Sequence, residues 1–186
     1  MPALLPVLTL ISLLLVGCNN ATDSADNSSP QPISSDDICH VCGMLITEFP
    51  GPKGQALMEN SSHARKFCST LEMFVFLQQP ENQAQLRHAY VHDVGETPWE
   101  APEEDAYIGA EDAWYVIGHD RRGSMGHTLA PFSNRERAAQ FVTKHGGEII
   151  SYEDINLELL AQLGRGEADE HAGGHMEGHA PHSMAH

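Results

Sequence analysis

Hydrophobic and polar positions divide the chain into stretches of different texture. Residues 3–16 are almost wholly apolar, a run too short for a spanning helix. Residues 19–37 hold Ser, Asn, Asp, Pro and Gln with almost nothing apolar, a composition that buries too little surface to order itself. From Ile38 onward apolar residues return in groups the size of secondary-structure elements. Residues 41–49 read as a strand, Pro50-Gly51-Pro52-Lys53-Gly54 as a turn cluster, and residues 55–58 as a second short strand. Ser61 or Ser62 is placed to cap a helix running to about Gln78. Its apolar stripe is Phe67, Leu71, Phe74, Val75 and Leu77, and Pro80 lies just past its end. Residues 88–94 alternate as a half-buried strand does.

The same order then recurs. Residues 113–118 read as a strand, Asp120-Arg121-Arg122-Gly123 as a hairpin turn, and residues 125–132 as the next strand. Ser133 with Glu136 has the spacing of a capping box for a helix to His145, Gly146-Gly147 ends it, and residues 148–152 close the unit. Gly54-Gln55-Ala56-Leu57 answers Gly126-His127-Thr128-Leu129, each ahead of a serine-capped helix. Residues 95–105 are a Pro/Glu-rich linker, and residues 155–163 predict a short final helix. The expected fold class is α+β, built from two related ββαβ units at about 38–94 and 106–163.

The two ends of the chain carry other signals. The apolar run ends in Leu15-Val16-Gly17-Cys18, which resembles the bacterial lipobox, although no Lys or Arg precedes it. Residues 1–17 then form a lipoprotein signal peptide, and the chain starts at acylated Cys18 on the periplasmic face of a bacterial membrane. Residues 18–37 become a disordered tether with a reach of roughly 60 Å. After residue 164 apolar periodicity is lost, while His171, His175, His179, His182 and His186 recur with Met176 and Met184. That composition predicts a disordered tail with secondary sites for Cu(II) or Zn(II). The formal net charge of -16 and pI near 4.9 argue against nucleic acid as a partner.

Chemistry concentrates in Cys39-His40-Val41-Cys42-Gly43-Met44. Thiolate and thioether together are the soft donor set that favours Cu(I). In an extended chain Cys42 and Met44 share one face. Cys39 reaches the same ion only if its loop folds back, and the adjacent His40 is either an imidazole ligand or a bystander. Met125 in Ser124-Met125-Gly126-His127 is an accessible thioether or a packing residue. A disulfide, half of a zinc site and a thiol–disulfide oxidoreductase are the alternatives for the Cys-x-x-Cys pair. Acylation of Cys18 leaves three of the four cysteines, an odd number that cannot all pair within one chain. Cys68, beside Phe67, reads as a buried thiol. No motif for nucleophilic or phosphate chemistry stands out, so the chain does not read as an enzyme.

Cys42-Gly43-Met44, the following Pro50-Gly51-Pro52-Lys53-Gly54-Gln55, and Met125-Gly126-His127-Thr128-Leu129-Ala130-Pro131-Phe132 resemble the NosL family, and with the lipobox the likeness runs to about Leu163. The resemblance implies a lipid-anchored periplasmic protein that takes Cu(I) from a periplasmic or membrane donor and serves nitrous oxide reductase. It also implies a superfamily fold shared with the organomercurial lyases, and Cys42, Met44 and Met125 as Cu(I) ligands. Cys39 and the His/Met tail are departures from the family pattern. A general periplasmic copper or zinc scavenger, or a sensor, is the rival reading.

Overall fold

The computed structural model describes residues 28–166. Its elements are β1 (Gly54–Met58), β2 (Arg65–Phe67), α1 (Thr70–Leu77), α2 (Pro80–Gln83), β3 (Leu86–His92), β4 (Tyr107–Gly109), β5 (Trp114–Ile117), β6 (Ala130–Phe132), α3 (Arg135–His145), β7 (Glu148–Ile150) and α4 (Leu157–Arg165). They form two antiparallel sheets, ordered β2-β1-β3-β4 and β6-β5-β7. In each unit the first strand is central, the second flanks it on one side, and the strand after the helix flanks it on the other. The α+β, two-unit ββαβ architecture expected from the sequence is therefore the observed one, with β4 added beside β3.

Side-chain alternation explains how the units share one interior. On β5, Tyr115 and Ile117 face the main core, while Trp114 and Val116 face a smaller cluster with Phe132, Ala138 and Phe141 under α3. The main core runs continuously from Phe67, Met73 and Phe74 of the first unit to Tyr115, Leu129, Leu160 and Leu163 of the second. Helix α1 is the element both halves use. Phe74 meets Tyr115 edge-on at 5.3 Å, and Gln78 Nε2 donates to the Ile155 carbonyl at 3.0 Å ahead of α4. Outside the sheets, Val94 N–H donates to Pro131 O at 2.8 Å and links the end of β3 to β6.

Several local expectations are corrected. Residues 41–49 form no strand: Cys39 N–H donates to Met44 O at 2.8 Å and Gly43 N–H to Cys39 O at 2.9 Å, closing a turn. Gly43 stands at φ +72°, a left-handed conformation that glycine adopts without strain, and a short 3-10 turn follows at Ile46–Glu48. The helix does not start at Ser61 or Ser62, because residues 65–67 fill the edge of β1 as strand β2. Its cap is Ser69, whose Oγ accepts from Glu72 N–H at 3.2 Å. Phe67 accordingly belongs to β2, and Val75 is exposed. The two units also align one strand away from the sequence pairing: β1 corresponds to β5, and β2 to β6.

In the second unit only Ala130–Phe132 of residues 125–132 is strand, and residues 123–126 close on themselves through Gly123 N–H to Gly126 O at 2.7 Å. Asn134, not Ser133, caps α3, accepting from Glu136 and Arg137 N–H at 2.9 and 3.1 Å. The Ser133 hydroxyl donates to the Asp93 carboxylate instead. Helix α4 runs to Arg165, past the expected start of the tail.

The expected tether is ordered from Ser28 to Asp37, where it straps the first sheet. Gln55, fully buried, receives Gln31 N–H on Oε1 at 2.8 Å and donates from Nε2 to Gln31 O at 2.6 Å, as a neighbouring strand would. Lys66 Nζ donates to Pro32 O at 2.6 Å and pairs with Asp37, and Tyr90 OH donates to Ser28 O. The lipobox cysteine Cys18 and the tail residues His171, His175, Met176, His179, His182, Met184 and His186 lie outside the described residues.

Candidate metal centre

Helix α1 fixes one side of the centre. Cys68 directly precedes its cap, and Glu72, four residues on, projects back toward Cys68 from the first turn. Cys68 Sγ donates to Glu72 Oε2 at 2.6 Å. The Cys39–Met44 turn supplies the other side: Cys39 Sγ lies 3.3 Å and Cys42 Sγ 3.9 Å from the same carboxylate oxygen, and the Cys42 and Cys68 sulfurs are 3.5 Å apart. All three thiols are free. The donor atoms of Cys39, Cys42, Cys68 and Glu72 lie within 4.8 Å of one another. Thiolates around a tetrahedral ion with metal–sulfur bonds of 2.3 Å stand about 3.8 Å apart. The cluster thus has a metal site's dimensions with little rearrangement.

Burial grades the four donors. Cys39, Cys68 and Glu72 are enclosed, whereas Cys42 is half-buried and opens to solvent. Beside it runs an open groove of about 590 Å³, lined among others by Ile38, Val41, Cys42, Arg65 and Lys66. Exposed Ile38 and Val41 give this rim an apolar character, and Arg65 borders it, with Lys66 paired to Asp37 along the same wall.

One proton-poor sulfur and two proton-holding ones share the cluster. The neighbouring Cys68 sulfur, with backbone N–H groups at Cys42, Cys68 and Val41, pulls Cys39 down to about 4. The adjacent Cys39 sulfur, with burial and the Glu72 carboxylate, pushes Cys68 far up. Burial also raises Cys42 and Glu72. A cation stands close behind. Buried Lys53 donates from Nζ to Phe49 O, Pro50 O and Cys68 O at 2.6, 3.2 and 3.2 Å, and burial lowers it to about 8. It locks the loop ahead of β1 to the residue that carries the deepest thiol.

The 118–129 loop reaches the centre from the second unit. Thr70, first residue of α1, bonds to Thr128 Oγ1 at 2.8 Å and to the carbonyl and N–H of Leu129 at 2.7 and 3.2 Å. This clamp brings Ser124 Oγ to donate to Cys68 Sγ at 3.0 Å. Met125, the next residue, is 56% exposed at the rim.

Of the residues expected from the sequence, Cys42 and Cys39 enter the cluster. Met44 is half-buried against the main core, with Met125 brought beside the centre by its neighbour Ser124. His40 lies outside the cluster: its ring stands edge-on to Phe76 and Phe67 at 5.1 and 6.1 Å, and its N–H donates to Lys66 O. Cys68 is buried as expected but faces the other thiols. Glu72 was missed, although Ser69-x-x-Glu72 is a capping-box spacing legible in the sequence. Cys42 Sγ stands 3.5 Å from Cys68 Sγ, and the Cys-x-x-Cys pair lies on a turn, without the strand-to-helix setting of a redox motif.

Known proteins similar to this chain share one family. The chain is 39% identical over 172 residues to the copper-binding lipoprotein NosL of Stutzerimonas stutzeri, covering 92% of this chain and 87% of that one. It is 36% identical over 150 residues to the copper-binding lipoprotein NosL of Achromobacter cycloclastes, covering 79% and 77%. The crystal structure of the copper chaperone NosL from Shewanella denitrificans superposes with a TM-score of 0.69 at 40% identity, over 70% of this chain and 98% of that one. The NosL family model matches residues 30–160, and on this span, the shared fold and the identity to two relatives, the chain belongs to the NosL family.

Proposed function

We propose that this protein is a lipid-anchored, periplasmic copper carrier that captures Cu(I) and hands it to apo nitrous oxide reductase during assembly of its copper centres. Copper binding by two relatives and the chaperone role of a third are carried by their names, and the thiol cluster is the observation in this chain that supports the same cargo. Three sulfurs and one carboxylate suit a soft cation, and the graded burial suits a cargo in transit. Cys39 and Cys68 hold copper from within; Cys42, with Met125 as a thioether donor at the rim and Met44 as one from the core side, is the donor a partner's ligand meets first. Release then proceeds by ligand exchange, with copper shared between Cys42 and an incoming donor before the inner thiols let go. The groove beside Cys42, with Ile38 and Val41 exposed and Arg65 at its border, is the face on which the reductase docks. Acylation at Cys18 keeps the carrier at the membrane, near the donor that supplies it.

The test is transfer. Anaerobic Cu(I) titration of the full chain, with X-ray absorption at the copper edge, is expected to give one tight site with at least two sulfur ligands. Mixing the loaded protein with apo reductase should then build the reductase's copper absorption. A tight site with no sulfur donor, or a loaded protein that leaves the reductase dark while free Cu(I) activates it, would refute the assignment.

A further inference from the structure

We propose that Cys42 and Cys68 are a reversible redox pair, which closes to a disulfide and takes the cluster out of copper service. The consequence for copper rests on the copper-carrier reading above; the disulfide itself stands on the placement of the sulfurs. Cys42 Sγ and Cys68 Sγ are 3.5 Å apart, at contact distance, and both thiols are free. They come from separate parts of the chain, Cys42 from the turn after the strap and Cys68 from the residue ahead of the Ser69 cap. A disulfide has a sulfur–sulfur bond of about 2.05 Å, so closure asks for a movement of about 1.5 Å. The turn has room to make it: a Cβ on Gly43, next to Cys42, would meet nothing within 4 Å. In the oxidising space outside the cytoplasm, the location proposed above, such a pair meets disulfide oxidants.

Burial assigns the two roles. Cys42 is the half-buried thiol beside the open groove, so it is the sulfur that a small disulfide reaches. Cys68 is fully buried and is placed to resolve the adduct. Its thiol already donates to Glu72 Oε2 at 2.6 Å, and Ser124 Oγ donates to its sulfur at 3.0 Å. The first bond carries the proton away, and the second steadies the charge left on sulfur. Cys39, 1% exposed, is screened from the oxidant.

The oxidant is a small-molecule disulfide, RSSR, and the exchange runs in two steps. Cys42 gives its proton to solvent and attacks one sulfur of RSSR. A Cys42–SR bond forms, the bond between the two R-bearing sulfurs breaks, and RS⁻ leaves and takes up a proton. Cys68 then passes its proton to Glu72 and attacks Cys42 Sγ. The Cys42–Cys68 bond forms, the Cys42–SR bond breaks, and the second RS⁻ leaves with the proton that Glu72 returns. Two thiols are oxidised by two electrons, and RSSR is reduced to two RSH. The second attack is intramolecular, so it outruns attack by a further thiol from solution. Closure leaves only Cys39 and Glu72 of the four cluster donors.

The experiment holds the metal-free, full-length chain in oxidised glutathione, quenches it with iodoacetamide in urea, and maps it by mass spectrometry after trypsin. Trypsin cuts after Lys53 and Lys66, so Cys39 and Cys42 leave on one peptide and Cys68 on another. The expected product is a cross-linked pair of peptides whose fragments place the bond between Cys42 and Cys68, with Cys39 alkylated. Cys68→Ser should stop at a glutathione adduct on Cys42. The oxidised wild type, freed of glutathione, should take no Cu(I) from its bathocuproine disulfonate complex, and uptake should return after dithiothreitol. A Cys39–Cys42 bond, a Cys39–Cys68 bond, a wild type that halts at the glutathione adduct, or three alkylated thiols would overturn the pair. Undiminished Cu(I) uptake by the cross-linked chain would overturn the switch. A reduced chain that takes no Cu(I) sinks the carrier reading instead, while the peptide map still decides the disulfide.

Discussion

Substituting Cys68→Ser should change the pH dependence of Cu(I) binding, and the structure sets by how much. At neutral pH Cys39 is already a thiolate, lowered to about 4, whereas Cys42 and Cys68 are both raised and keep their protons. A metal held by all three sulfurs must displace the two remaining protons. Each displaced proton strengthens binding tenfold per pH unit, with affinity rising as pH rises. From pH 6 to pH 8 the association constant should climb by about 10⁴ in the wild type and about 10² in Cys68→Ser, where one thiol is gone. Competition against a Cu(I) chelator of known pH behaviour, read anaerobically at several pH values, gives both slopes. Identical slopes in the two proteins, with Cys39 still ionised in the metal-free variant by its thiolate absorption at about 240 nm, would show that Cys68 gives up no proton to the metal, and the three-thiol centre would have to be abandoned.

Other perturbations test the neighbouring parts. Cys42→Ser should lower Cu(I) affinity more than Met44→Ala or Met125→Ala, since a thiolate is the stronger donor; competition titration ranks them, and a wild-type Cys42→Ser would contradict the rim role. Cys18→Ala should leave an unprocessed chain without acyl groups, which mass spectrometry of the membrane fraction detects; acylation that persists would exclude Cys18. Gln55→Ala leaves Gln31 N–H and C=O without their partner and should cost about 1–3 kcal/mol in urea unfolding while exposing the 28–37 strap to protease. Gly147→Ala should destabilise the second unit severely, because at φ +92° its new Cβ would run into the Ile117 carbonyl oxygen; a melting temperature within a degree or two of wild type would refute the constraint.

Periodicity and composition were enough for the ββαβ repeat, the β1 and β5 strands, the turn at Gly146-Gly147, and the Cys42 neighbourhood. These features depend on neighbours in sequence: alternation along a strand, a left-handed glycine after a helix, soft donors a few residues apart. Local signals were misread where a tertiary partner outbid them. Residues 65–67 look helical with Leu71 and Phe74, yet the open edge of β1 draws them into a strand. Ser133 has the spacing of a cap, but Asp93, some forty residues away in the chain, takes its hydroxyl. The strap at 28–37 has the composition of a tether and is held by Gln55 and Lys66.

The site divides along the same line. The sequence by itself determined that Cys39, Cys42 and Met44 would lie close together, because the chain cannot separate them. Only the tertiary structure made Cys68 and Glu72 their partners, since that needs the Cys39–Met44 turn, the start of α1 and the Lys53 clamp to converge from separate parts of the chain. It also brought Ser124 to Cys68 and Gly166 to His127, through the Thr70–Leu129 hydrogen bonds and the packing of α4. Covalent spacing fixes what is near within a few residues; the burial of one shared core fixes which distant segments meet, and that burial is a property of the whole chain.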